Sequence, residues 1–258
     1  VTRITFLGTG TSHGVPMIAC DCAVCRSTDP RNRRLRPSIL VERDGFVLLV
    51  DTTPDLREQC LRANVRRLDA ILYTHEHNDH LTGLDELRRF CVLHDCRLPA
   101  HGPRKVLDSI ARMFPYAVSR PPPYKGLPEL DLHEIAGPFE LGPWRITPHE
   151  LPHGSTRALG FRFDDPRGPS FAYFTDCAEV PSPARASLRG VPLLILDALR
   201  DRPHPTHLTV AQALEVVRDV GPGRALFTHV CHELDHATAN AALPDGVALA
   251  YDGLVVET

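Results

Sequence analysis

Short aliphatic runs recur along the chain, and several end in residues of metal-ligand type. Leu68-Asp69-Ala70-Ile71-Leu72-Tyr73 has the length and apolar content of a buried strand, and Thr74-His75-Glu76-His77-Asn78-Asp79-His80 follows it directly. Residues 81–90 then place apolar side chains at helical spacing, so the polar cluster sits on a strand-to-helix loop. The same reading predicts strands over residues 4–7, 144–148, 158–163, 170–175, 192–196 and 225–227, with closing strands inside 248–256. Residues 38–42 and 46–50 form an expected hairpin around Arg43-Asp44-Gly45. Helical patterns cover 54–63, 106–114 and 208–217, the last with Thr209 as a candidate cap. Residues 119–126 contain Pro121-Pro122-Pro123 and exclude a helix; they read as a lid, an oligomer contact or a plain surface connection. Strands and helices alternate without a linker or a visible repeat, which gives one domain over residues 1–258.

Composition narrows the class. At 43% hydrophobic and 24% charged, the chain is an ordinary globular protein, and no segment has the apolar length to span a bilayer. A net charge of −3 argues against a nucleic-acid binder that works by phosphate neutralisation. The arginine-rich stretch 31–36 reads as a solvated loop. Residues 1–8 alternate like a strand and lack the apolar core of a signal peptide. Eight cysteines beside fourteen histidines favour thiolate ligation over a disulfide framework, and with it a reducing cytoplasm.

The chemistry concentrates at a few places. Neutral imidazole is the commonest metal ligand, and a neighbouring carboxylate suits a divalent ion, so the loop bearing His75, His77, Asp79 and His80 reads as metal-binding. His153, Asp176 and His229 also follow strand-like runs, and donors from distant segments that converge are what a catalytic centre with open positions needs. His149 competes with His153 on residue type alone. Cys20, Cys22 and Cys25 are placed to hold three corners of a tetrahedral zinc, with a fourth Cys or His from elsewhere. Cys91, His94 and Cys96 have no evident fourth partner and read as packing. The glycine-rich turn 8–14 matches neither phosphate-cradling pattern, and His13 within it reads as structural or surface. No nucleophilic serine or cysteine motif is present, which leaves metal-activated water as the nucleophile of a hydrolase.

His75-x-His77-x-Asp79-His80 after a hydrophobic strand resembles the signature loop of the metallo-β-lactamase superfamily. The Cys20-x-Cys22-x2-Cys25 insertion after Gly8-Thr9-Gly10 is similar to that of its PhnP-type phosphodiesterases. The resemblance implies an α/β (α+β) fold, a single-domain αββα sandwich with an amino-terminal structural zinc loop. It implies that His75, His77 and His153 hold one metal, Asp79, His80 and His229 a second, and that Asp176 bridges both. Two divalent ions, manganese or zinc, would make a bridging hydroxide the nucleophile, with Asp79 and His207 serving catalysis. His207 would protonate the leaving oxygen or stabilise phosphoryl charge, His204 being a weaker candidate. Asp51 would support the histidine loop without touching metal, and His232 would complete the cysteine site. The implied reaction is hydrolysis of small, cyclic phosphodiesters, with nucleic acid and membrane disfavoured as partners and a homodimer left open. A ribonuclease Z-like nuclease and a non-catalytic, metal-stabilised protein of cofactor biosynthesis are the alternatives. Residues 96–123 depart from the family pattern and leave substrate choice open.

Overall fold

The computed structural model describes residues 1–258. Its strands form two seven-stranded sheets, each laid down in chain order. The first contains β1 (Arg3–Gly8), β2 (Ser38–Arg43), β3 (Phe46–Val50), β4 (Ala70–Leu72), β5 (Leu98–Gly102) and β6 (Leu130–Glu134). The second contains β7 (Phe139–Leu141), β8 (Trp144–His153), β9 (Thr156–Asp164), β10 (Phe171–Phe174), β11 (Leu193–Asp197), β12 (Arg224–Thr228) and β13 (Val247–Leu249). The final strand, β14 (Val255–Glu257), returns to the first sheet and pairs antiparallel with β1, Ile4 facing Val256.

Each sheet changes from antiparallel to parallel partway across. In the first, β1 to β3 are antiparallel and β3 to β6 parallel; in the second, the change comes at β10. Parallel neighbours need crossover connections, and here helices supply them and cover the outer faces. Between the sheets, Phe6, Val41 and Val50 meet Trp144, Phe161, Tyr173 and Ile195, all buried. Outside the first sheet Leu49 and Ile71 pack with Leu84, Val106 and Ile110; outside the second Phe174 and Leu194 pack with Leu188, Ala213 and Val216. The result is the expected αββα sandwich. Its parallel strands share a direction, so the segments leaving β3, β4, β10, β11 and β12 gather at one edge.

Several local expectations need correcting. Residues 81–90 are not one helix: Asn78–Leu81 is α, Thr82–Leu87 is 3-10 and Arg88–His94 is α again. Gly83 lies against the Thr53 carbonyl where a Cβ has no room, and its N–H donates to Thr52 O at 2.9 Å, so this turn is wound tightly onto the loop after β3. The strand at 144–148 continues to His153. Pro148 and Pro152 are accommodated because β7 pairs only with residues 144–146, so the rest of β8 is an edge that tolerates proline. Stretch 31–36 is not simply solvated. Arg34 is buried, its guanidinium donating to Thr9 Oγ1, Ala250 O and His236 Nδ1, because five N–H groups can be satisfied inside when acceptors surround them. Residues 119–126 have no regular structure and contribute nothing to the cleft described below. No helix is long and apolar enough to cross a membrane.

Candidate metal centre

The sheet edge assembles two neighbouring donor sets. His75, His77 and His153 present donor atoms within 4.8 Å of one another, as do Asp79, His80, Asp176 and His229. Asp176 lies between the sets: Oδ1 is 3.1 Å from His229 Nε2 and 3.7 Å from His153 Nε2, while Oδ2 is 3.2 Å from His80 Nε2. His153 Nε2 stands 3.2 Å from His77 Nδ1. His149 falls outside both sets and packs on Phe174. A two-residue turn, Gly154 (φ +61°) and Ser155, reverses the chain after His153 and leaves it as the last residue of β8. Asp51, Asp176 and His229 have φ of +64°, +57° and +60°; non-glycine residues in the left-handed region carry strain, and such strain collects at functional sites.

A shell of hydrogen bonds fixes which ring nitrogen faces inward. Asp51 accepts from the Thr74 N–H, the Thr74 hydroxyl and His80 Nδ1–H at 2.9, 2.9 and 2.8 Å. With its one proton given to Asp51, the Thr74 oxygen accepts from His75 Nδ1–H at 2.9 Å. His153 Nδ1–H donates to Thr206 O at 2.9 Å. The lone pairs of His75, His80 and His153 Nε2 are thereby aimed into the site. His75 Nε2, His80 Nε2, His229 Nε2 and Asp79 Oδ2 are buried without a hydrogen-bond partner, a cost of about 1–3 kcal/mol each if left so. Divalent cations fit this donor set. Burial would push His80 down, yet Asp176, Asp79 and Asp51 hold its pKa well above the usual value, a field of negative charge that a cation at Nε2 would neutralise in place of a proton. His75 is held well below, by burial first and His80 next.

Cys20, Cys22 and Cys25 Sγ stand 3.2, 3.4 and 3.6 Å from His232 Nδ1. Tetrahedral zinc with Zn–S about 2.3 Å and Zn–N about 2.0 Å separates S from N by about 3.5 Å, so the four residues fit one cation. The Cys25 N–H, and then His232, lower the Cys22 pKa to about 6, whereas burial raises Cys25 to about 11. Cys91, His94 and Cys96 form no such set; the Cys91 thiol is engaged with the Glu129 backbone and His94 with Arg66 O.

A cleft of about 520 Å³ opens over the first donor set. One wall is the loop Thr11–Gly14, where His13 is exposed, the surface position that is one of the two expected for it, and borders the cleft. The opposite wall carries Arg200, Arg202, His204 and His207. His207 stacks on His229 with ring centres 4.4 Å apart, and its Nδ1–H donates to Asp197 Oδ2 at 2.8 Å. His204 turns its Nδ1 to Thr206 and joins neither donor set. Sequence reasoning missed Asp197 and Thr206; only Asp197 left a trace, as an acid closing an aliphatic strand.

The profile of a family described as "Beta-lactamase superfamily domain" matches residues 47–230. An octanoyltransferase from Porphyromonas gingivalis is 37% identical over 257 residues, 98% of this chain but 51% of that protein, so the chain spans about half its length. Coenzyme PQQ synthesis protein B from Rhodopseudomonas palustris is 29% identical, covering 88% of this chain and 89% of the relative. Among solved structures, a diphosphatase of the PhnP family superposes with TM-score 0.91 at 40% identity, covering 100% of this chain and 98% of that one. The chain thus belongs to the β-lactamase superfamily, and its fold is the metallo-β-lactamase sandwich.

Proposed function

We propose that this superfamily hydrolase is a metal-dependent phosphodiesterase acting on small, cyclic phosphodiesters. In this reading His75, His77 and His153 hold one divalent cation, Asp79, His80 and His229 a second, and Asp176 serves both. The observation that carries it is the position of the Asp176 carboxylate, with histidine nitrogens of both sets within 3.7 Å. Bound there, manganese or zinc ions would ionise water at neutral pH and screen charge on the attacked phosphoryl group.

The chain's own residues do the remaining work. Asp51, through Thr74, orients His75 and His80, and the Thr206 carbonyl orients His153. As the water oxygen joins phosphorus and one ester P–O bond breaks, the leaving oxygen takes a proton from His207, giving a phosphomonoester and a free hydroxyl. Asp197 keeps the His207 Nδ1 proton in place, so the other ring nitrogen is the one that donates. The arginine-bearing cleft and the likeness to a PhnP-family diphosphatase support a phosphoryl rather than an acyl substrate. A zinc in the Cys20, Cys22, Cys25 and His232 set would pin the amino-terminal loop to the segment carrying His229; thiolate ligation there fits a reducing, cytoplasmic setting.

The test is hydrolysis of bis(p-nitrophenyl) phosphate and adenosine 2′,3′-cyclic phosphate by protein loaded with manganese or zinc, beside elemental analysis. About three metals per chain are expected, one resisting mild chelation, with turnover lost and regained as the other two leave and return. Full metal content without cleavage of either ester would instead favour a binding role in cofactor biosynthesis, as the likeness to the PQQ synthesis protein allows.

A further inference from the structure

Two short helices outside the first sheet leave a groove between them. Leu56–Arg62 and Arg88–His94 each carry an arginine and a leucine one turn apart, Arg57 with Leu61 and Arg89 with Leu93, and i, i+4 spacing puts each pair on one helix face. Both pairs line a cavity of about 400 Å³, a volume within the usual range of small-molecule sites. Its floor is apolar. Leu56 and Phe90 are buried there, and the Cys60 thiol, pushed up to about 12 by burial first and Glu86 next, stays uncharged. Leu61 is 62% exposed and Leu93 49%, so the apolar strip continues up both walls into water. Apolar surface of this kind with a polar rim marks a place where something binds.

The rim selects the charge of the occupant. Arg57, Arg66 and Arg89 line the groove without an ion pair or a side-chain hydrogen bond, against the single acid Glu86. Arg66 also borders a neighbouring cavity of about 560 Å³, shared with Arg62 and Arg67. Asp252 and Asp69 pair those two, which leaves Arg66 as the free cation where the cavities meet. A second copy of this chain laid on the groove about a twofold axis would set arginines against arginines, so self-pairing is disfavoured. The groove shares no lining residue with the cleft over the metal centre.

We propose that this groove is a binding site for a single-chain anionic amphiphile, a free acyl carboxylate of medium length. Its chain lies on the floor between Leu61 and Leu93, and its head group meets the arginines of the rim. The site goes beyond the phosphodiester reading and does not depend on it, since nothing in it touches the metal ligands.

Calorimetric titration of the metal-loaded protein at low salt with sodium decanoate, beside hexanoate and decyltrimethylammonium, makes the test. One decanoate per chain is expected. Hexanoate should bind more weakly by about twofold to fourfold for each methylene removed, the usual effect of an apolar methylene returning to water. Decyltrimethylammonium should bind about tenfold more weakly or worse, because the rim repels it. L61S and L93S should each weaken decanoate by about threefold to tenfold. The double variant R57E/R89E should reverse the order, with the cation above decanoate. All four side chains lie outside the core, and circular dichroism verifies the fold; should the double variant lose it, R66E decides by weakening decanoate alone. Equal affinity for decanoate and the cation would overturn the proposal. So would decanoate binding that none of these substitutions alters, since the carboxylate would then be held by the metal centre. Capture of phosphatidylglycerol vesicles without binding of monomeric decanoate would assign the face to a bilayer and overturn it as well.

Discussion

His207 and Asp197 form a buried pair in which one carboxylate oxygen does two jobs: Asp197 Oδ2 accepts from His207 Nδ1–H at 2.8 Å and from the Cys177 N–H at 2.9 Å. The second bond locks Asp197 to the segment just after Asp176, so the orientation of His207 is set by the same backbone that delivers the carboxylate shared between the donor sets. His207→Ala should keep its metal content yet lose about 10²–10⁴ in kcat, the usual worth of a positioned general acid. Asp197→Asn should fall into the same range, because an amide no longer dictates which ring nitrogen holds the proton. Steady-state kinetics beside elemental analysis check both. Undiminished turnover in His207→Ala would remove it from the reaction.

Asp51 makes a separate prediction. It belongs to neither donor set, yet it fixes His80 directly and, through Thr74, His75, one residue from each set. Asparagine tolerates the left-handed backbone found at this position, so Asp51→Asn changes charge and acceptor capacity with little added strain. Metal affinity should drop about 10–100-fold, the usual effect of losing a group that orients ligands. Chelator competition monitored by metal release measures it, and wild-type affinity in the variant would show that the histidines do not depend on Asp51.

The histidine loop was legible in sequence because its residues are local and their spacing puts several donors on one turn after a strand. His232 was legible only through resemblance, since Cys25 and His232 are far apart in the chain and meet through the fold. Asp197 was not, because an acid at a strand end looks the same whether it faces solvent or a histidine; the deciding fact is where His207 returns. Arg34 misled for the opposite reason. A run of arginines reads as solvated, and only the folded chain brings Thr9, Ala250 and His236 around this one. Pro148 and Pro152 forbid a central strand but not an edge, and edge status depends on how short β7 is.

The Arg34–His236 contact gives a pH dependence. Arg34 Nη2 donates to His236 Nδ1 at 3.0 Å, which requires a ring with that nitrogen unprotonated. Burial first, then Arg34 and Arg31, lower the His236 pKa from 6.5 to about 4. Between these values the unfolded chain binds a proton that the folded chain refuses. The contribution is therefore intact above pH about 6.5, shrinks as pH falls, and is exhausted near pH 4, amounting to at most about 3 kcal/mol. Arg34, lowered by burial only to about 10, stays charged throughout that window. His101, lowered to about 4 by burial and His133, adds to the same slope. His236→Gln keeps an acceptor for Arg34 but does not titrate, so urea unfolding of the variant should lose less stability than wild type between pH 7 and pH 5, the rest of the slope belonging to His101 and the other histidines that burial lowers, His75, His149, His153 and His204. If the two proteins lose the same stability over that interval, His236 is not buried as the neutral ring and the contact with Arg34 is made some other way.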